Sequence, residues 1–212
     1  MQDYRREFID FAVRRGALRF GEFTLKSGRK SPYFFNSGAF DTGEAIERLG
    51  YFYAHAVLAL GPAPDVIFGP AYKGIPLAVA TASALATRFG AETAYCFDRK
   101  ERKEHGEEGM LVGRVPKAGD RVVLVDDVIT DGATKMEAVR NLREWTEASI
   151  AGLVIALDRK ERGRDGGDPV AALEAEAGIP VRAVASVHEV IEYLAGDPAA
   201  DRIREYLSEF GV

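Results

Sequence analysis

Residues 122–140 read VVLVDDVITDGATKMEAVR, and the order of residue types within them decides the fold. Residues 122–125 are all apolar and three of the four are β-branched valines, the mark of a strand buried on both faces in a parallel sheet. The strand ends in two adjacent carboxylates, Asp126 and Asp127, which a buried strand end avoids unless something there compensates them. Thr130 and Gly132 follow, and over residues 133–143 Met136, Val139 and Leu142 fall on one helical stripe. Strand, short polar loop and helix is the arrangement in which open α/β sheets bind ligands. A helix N-terminus beside Gly and Thr suits phosphate, and paired carboxylates suit hydroxyls. Together they point to a sugar phosphate.

Working outward, the same alternation continues. Strands are expected over residues 66–69, 93–97, 121–125, 150–157 and 181–186, and helices over 75–89, 133–144 and 169–177. Ahead of these, Asp3 is placed to cap a helix running to about residue 15 and stopped by Gly16, and Thr42 opens another over 42–60. Between them, residues 18–36 carry Phe20, Phe23, Leu25, Tyr33, Phe34 and Phe35, broken by Ser27, Gly28 and Arg29, as in a small hairpin. The expectation is one domain over residues 1–212. Its α/β fold is a doubly wound, mostly parallel central sheet flanked by helices, with a small N-terminal hood over about 16–40. Residues 98–109, DRKERKEHGEEG, are charged, contain two glycines and show no apolar period, so they are predicted to form a mobile loop.

Length and composition fit this. The 212 residues, 47% hydrophobic and 29% charged, suffice for one substantial core. A formal net charge of −5 and a pI of about 5.4 argue against broad nucleic-acid binding. The single cysteine, Cys96, excludes an internal disulfide and suits a reducing compartment. The N-terminus, MQDYRREFIDF, has no continuous apolar stretch of the secretory type, and no run reaches the length of a membrane span. A cytoplasmic protein is expected, and no cysteine or histidine has zinc-ligand spacing.

Four further stretches carry chemistry. In FGPAYKGIPLA, residues 68–78, a Gly-containing turn presents Lys73 between a strand and a helix that has Pro76 near its start. That lysine either meets an anion or is simply solvated. Arg99, Lys100, Lys103 and His105 make the 98–109 segment basic, although Glu101 and Glu104 weaken the local field. The segment is either a solvated surface or a lid that closes on a polyphosphate and excludes water. Phe34 and Phe35 point to opposite faces of their strand, so one can be core while the other lines a ring-binding pocket. Arg159, at a strand end after Leu157 and Asp158, either pairs bidentately with a ligand carboxylate or lies on the surface. His55, His188 and Cys96 are expected to be structural or solvated.

VVLVDDVITDGAT resembles the fingerprint with which type I phosphoribosyltransferases bind 5-phosphoribosyl 1-pyrophosphate (PRPP). FGEFTLKSGRKSPYFFN, FGPAYKGIP, YCFDRKERKEHGEEG, LDRKERG and the terminal EFGV are similar to the bacterial orotate phosphoribosyltransferase family, and the likeness runs over residues 4–212. The resemblance implies transfer of the 5-phosphoribosyl group from PRPP to N1 of orotate, giving orotidine 5′-phosphate and pyrophosphate in pyrimidine synthesis. It further implies that Asp126 and Asp127 hold the ribose hydroxyls and that Val128, Ile129, Thr130, Asp131, Gly132, Ala133 and Thr134 form the 5′-phosphate loop. Lys26, Tyr72 and Lys73 would contact PRPP, with Lys73 near pyrophosphate. Phe34, Phe35, Thr130 and Arg159 would form the orotate site, the arginine on its carboxylate.

Arg99, Lys100, Lys103 and His105 match the lid, which in this family closes over the neighbouring subunit's site in a homodimer. By the same resemblance, Lys103 and His105 act on the leaving pyrophosphate, with Lys73 assisting, and Mg2+ arrives largely on PRPP and water, so no protein metal ligands are expected. The chain departs from the family pattern at Asp131, where a small residue is common, and at Ala133, where a hydroxyl is. Asp131 is therefore expected to face away and cap the following helix, with Thr134 supplying a hydroxyl. The rival readings are a phosphoribosyltransferase for another base and a nucleotide-sensing, nucleic-acid-binding regulator of the same fold.

Overall fold

Apolar strands that alternate their side chains between two helical layers give the molecule its architecture. The computed structural model describes residues 1–212 apart from 26–27, 104–108, 131 and 164, with the backbone alone at 102–103. In chain order the elements are α1 (Asp3–Arg14), β1 (Leu18–Thr24), β2 (Lys30–Phe35), a 3-10 turn (Ser37–Ala39), α2 (Gly43–Leu58), β3 (Val66–Gly69), α3 (Gly74–Phe89) and β4 (Ala94–Lys103). Then follow β5 (Gly109–Gly113), β6 (Arg121–Asp126), α4 (Ala133–Trp145), β7 (Ser149–Asp158), α5 (Pro169–Ala177), β8 (Val181–Ser186), α6 (Val187–Tyr193) and α7 (Pro198–Phe210).

The central sheet has the order β5-β4-β3-β6-β7-β8, and β5 alone runs antiparallel to its neighbour. Counted by themselves, the five parallel strands lie in the order 2-1-3-4-5. The crossover direction therefore reverses between β3 and β6, which opens a crevice at their C-terminal ends.

Val66, Phe68, Val122, Leu124, Leu153 and Ile155 pack on one face with Met136, Val139 and Leu142 of α4 and Leu173 of α5. Their strand neighbours Ile67, Val123, Val125, Val154 and Ala156 face the other layer, with α1, α2, α3, α6 and α7. This two-sided burial is why residues 122–125 are apolar without alternation.

The hood is a separate antiparallel hairpin, β1 with β2, whose register pairs Leu18 with Phe35 and Thr24 with Lys30. Tyr33 anchors it by an edge contact with Tyr206 of α7, ring centroids 6.3 Å apart. At the start of α2, Thr42 Oγ accepts from the Ala45 amide at 3.2 Å, the expected cap.

Two sequence expectations need correction, and one long helix was missed. Asp3 is the first helical residue of α1 rather than its cap, which is Gln2, so its charge acts on the helix dipole instead. Residues 98–103 are not irregular: β4 continues to Lys103 and pairs Asp98 with Leu111 and Lys103 with Gly109. Ladder hydrogen bonds need no apolar period, so a ribbon leaving the sheet gives no hydrophobic signal. The central part of the expected loop, 104–108, lies outside the described residues. Finally, α7 went unread although Asp197 caps it through the Ala199 amide at 2.8 Å and Pro198 opens it. No helix among the described residues is long and apolar enough to cross a membrane.

Candidate active site

The crevice above β3 and β6 holds the two carboxylates and two lysines. Asp126 and Asp127 are each 8% exposed, so their charges need partners. Asp126 Oδ1 accepts from the Asp127 amide at 2.8 Å, and Asp127 Oδ1 accepts from the Val128 amide at 2.8 Å. The remaining oxygens face cations. Lys135 Nζ, from the first turn of α4, lies 2.7 Å from Asp126 Oδ2 and 3.9 Å from Asp127 Oδ1. Lys73 Nζ, from the turn before α3, donates to Asp127 Oδ2 at 2.6 Å, and the Ser37 hydroxyl donates to the same oxygen at 3.1 Å.

From beneath, Tyr53 of α2 donates its hydroxyl to the Asp126 carbonyl at 2.7 Å. Burial alone would push the Asp127 carboxyl up. The Lys73 hydrogen bond, the Val128 amide and the charges of Lys73 and Lys135 outweigh it, and the group sits below the ordinary carboxylate value. Asp127 is thus held as an anion ready to accept from a hydroxyl.

The loop after Asp127 opens toward solvent at its far side. Ile129 is buried among Met136 and Leu173, which anchors the loop, while Thr130, Ala133 and Thr134 are exposed. Gly132, at φ 78°, is the N-cap of α4 and supplies no side-chain cap. A left-handed residue suits glycine here, and the helix start faces the crevice as an anion site should. Asp131 lies outside the described residues, so its capping role stays an expectation.

On the β3 side, the Ala71 amide donates to Asp98 Oδ1 at 2.5 Å and ties the Lys73 turn to β4. Tyr72 is 71% exposed, and Lys100 Nζ sits 5.9 Å from its ring centre, so these two expected PRPP contacts meet. Arg99 lies beside them on β4, half-buried. Lys26 and His105, and the side chain of Lys103, lie outside what the structure describes.

Of the expected orotate residues, Arg159 lies under the hood, Phe34 and Phe35 belong to the hood's own strand β2, and Thr130 is on the exposed loop before α4. Arg159 is not a surface arginine. Its side chain is 11% exposed, its guanidinium lies 4.4 Å from the Tyr33 ring centre, and it already has a carboxylate. Nε and Nη2 donate to Glu161 Oε1 at 3.0 and 2.6 Å, and Nη2 reaches Ser31 Oγ at 3.3 Å. The Tyr33 hydroxyl donates to the same Glu161 oxygen at 3.1 Å, and Arg29 flanks Glu161 Oε2 at 3.6 Å. A buried guanidinium requires such an anion, and burial makes the Tyr33 hydroxyl much harder to ionise.

Phe34 and Phe35 do point to opposite faces. Phe35 is core, against Phe8 and Phe40, whereas Phe34 stacks on Phe23 at 5.6 Å with Arg19 over both rings. Only Phe34 can offer a ring to a ligand. Because β1 is the only strand neighbour of β2 among the described residues, the other edge of β2 can also present main-chain groups.

Lys135 and Glu161 were missed in the sequence, since each is defined only by a partner that the fold brings to it. Cys96 is buried, and burial pushes its thiol up to about 11, which leaves it unreactive. Among the described residues, no three or more His, Cys, Asp or Glu side chains gather in a way that could hold a metal ion.

The chain is similar over its length to known proteins. The phosphoribosyl transferase domain family matches residues 40–183. The chain is 50% identical to an orotate phosphoribosyltransferase of Pseudomonas fluorescens (strain SBW25), with 100% of both chains covered. It is 51% identical to one of Pseudomonas syringae pv. syringae (strain B728a) at the same coverage. The crystal structure of an orotate phosphoribosyltransferase from Francisella tularensis superposes with a TM-score of 0.86 at 38% identity, covering 97% of this chain and 100% of that one.

Proposed function

Because the chain belongs to the orotate phosphoribosyltransferase family, whose members use PRPP to phosphoribosylate orotate, we propose how its residues divide that reaction. Asp126 and Asp127 accept hydrogen bonds from the 2′- and 3′-hydroxyls of the ribose. The loop of residues 128–134 and the start of α4 hold the 5′-phosphate. The observation that carries this division is the pair of 8%-exposed carboxylates neutralised by two lysines at the strand-order reversal.

Breaking the C1–O bond leaves an oxocarbenium-like ribose and a departing pyrophosphate. The protein's task is to hold the reactants and neutralise leaving-group charge, and no nucleophilic side chain is required. Lys73 is 61% exposed at its side chain and can exchange Asp127 for pyrophosphate once PRPP enters. Arg99, Lys100 and Lys103 serve the same anion from β4, together with His105 and Lys26. Mg2+ would come with PRPP as part of the substrate and would offset pyrophosphate charge. Asp126 and Asp127 already have lysine partners, which favours that route over a protein-held ion.

Orotate lies between β2 and the end of β7. Arg159 turns toward its carboxylate, and Phe34 or the β2 edge meets the ring. A homodimer with shared sites fits the surface: apart from Met1 and Val212 at the termini, the exposed large apolar side chains among the described residues are Tyr72, Val79, Tyr95 and Val115. Between α2 and α3 a groove of about 390 Å3, lined by Ile46, Pro76, Val79 and Ala80, adds to this surface. The acidic balance favours small-molecule substrates over nucleic acid, and the single cysteine accords with a reducing cytoplasm.

The decisive experiment is PRPP-dependent loss of orotate absorbance, with uracil and hypoxanthine as controls. Turnover with orotate alone is expected. Equal turnover with uracil would remove Arg159 from its role, because uracil has no carboxylate.

A further inference from the structure

Two lysines face the carboxylate pair, and their surroundings differ. Lys73 stands on an exposed turn with 61% of its side chain in solvent, whereas the Lys135 side chain is 11% exposed and its partner Asp126 12%. Lys135 is the third residue of α4, after Ala133 and Thr134, and its side chain runs back past the whole 128–132 loop to the end of β6. The ion pair therefore joins the two ends of the loop that receives phosphate. Lys73 can leave its partner without burying a charge, and Lys135 cannot.

We propose that Lys135 is a positioning residue: a fixed counter-ion that orients Asp126 and Asp127 and closes the base of the phosphate loop, with or without substrate. It rests on the assignment of the two acids to the ribose hydroxyls. Lys135 thus acts through Asp126 and Asp127, and Lys73 is the cation that changes partners during turnover. The groups facing the pair are Tyr53 from α2, Ser37 from the 3-10 turn, Lys73 from the turn before α3 and Lys135 from α4. Tyr53 remains protonated, because burial pushes its hydroxyl well above the ordinary tyrosine value. Without Lys135, Lys73 alone would offset two adjacent buried anions.

The test is a double-mutant cycle on PRPP kinetics with Lys135→Met, Asp126→Asn and the double variant. Lys135→Met is expected to raise the PRPP KM about tenfold while the orotate KM stays within about twofold. The acid limb of kcat/KM for PRPP should move to higher pH, since Lys135 helps hold Asp127 below the ordinary value. Combining Lys135→Met with Asp126→Asn should cost clearly less than the sum of the two single losses, because the lysine has then lost its 2.7 Å partner and keeps only Asp127 Oδ1 at 3.9 Å. Should Lys135→Met fail to fold, the charge-balanced double variant compared with Asp126→Asn still reads what Lys135 contributes to PRPP without Asp126, and a further large loss there would overturn the proposal. Additive losses would show that Lys135 meets PRPP independently, and an unchanged PRPP KM and pH limb would show that it does nothing to the acids; either overturns the proposal alone. If Asp126→Asn itself left the PRPP KM untouched, the ribose assignment would fall with it.

Discussion

Arg159 holds a carboxylate before any substrate arrives, and that single fact governs how its replacement should be read. Arg159→Ala should raise the orotate KM by on the order of 30-fold or more, the equivalent of about 2–3 kcal/mol for a lost charge-assisted pair. It should also lower the melting temperature, because Glu161 at 13% exposure loses its nearest cation. Adding Glu161→Gln should recover the stability and leave the orotate KM high. An orotate KM within twofold of wild type, with PRPP affected instead, would contradict the assignment.

His55 gives a second residue-scale expectation. It is stacked on Tyr4 at 4.6 Å and flanked by Tyr51 and Phe89, and burial holds its pKa below the ordinary 6.5. The unfolded chain therefore binds the proton more readily, so stability present above pH 6.5 should decline as pH falls below it. Melting curves between pH 7.5 and 5.5 should slope less in His55→Gln; an equal slope would refute the attribution. Asp127 acts in a separate window, near and below the usual carboxylate range, where its depressed pKa makes stability fall as it protonates. Asp126, Asp127 and Lys73 were legible in the sequence because each sits at a junction of strand, turn and helix. Lys135 and Glu161 were not, because a lysine in a helix's first turn reads as solvated until its partner is placed.

At the scale of elements, the turn that carries Lys73 depends on two glycines in contact. A Cβ on Gly69 would overlap the Gly74 carbonyl, and one on Gly74 would come 2.6 Å from the Gly69 carbonyl carbon. Real Cβ atoms do not approach so closely, so β3 and α3 meet only as bare backbone. Gly69→Ala should therefore displace the turn, lower stability by about 1–3 kcal/mol and weaken PRPP binding more than orotate binding. Thermal melts with substrate titrations check this, and wild-type PRPP affinity would show that the turn can shift without moving Lys73. Elements with a two-sided apolar run or a clear helical stripe, such as β6, β7 and α4, were legible from end to end within a residue or two. The outer part of β4 was not: residues 99–103 are all charged, so beyond Phe97 the apolar run Met110, Leu111 and Val112 of β5 has no apolar counterpart to mark the pairing.

For the whole molecule, the 2-1-3-4-5 order of the parallel strands puts the acid pair, the Lys73 turn and the phosphate loop at one crevice, with the hood above the end of β7. The alternation of strands and helices implied a parallel sheet, but strand order depends on which edge each crossover takes, and no local pattern records that. The basic ribbon raises the remaining question of whose site it serves. In the proposed dimer Lys103 acts on the neighbouring subunit's site, while Arg159, held under its own hood by Tyr33, Ser31 and Glu161, acts on its own. Lys103→Ala and Arg159→Ala, assayed with orotate well below the raised KM so that each alone is nearly inactive, should then complement when their subunits are mixed. Random reassociation of a two-fold dimer makes about half the molecules hybrids, each with one doubly damaged and one intact site, so about a quarter of wild-type activity should return. Activity that stays at the level of the separate variants, despite subunit exchange verified by mass spectrometry, would mean that the ribbon closes over its own subunit.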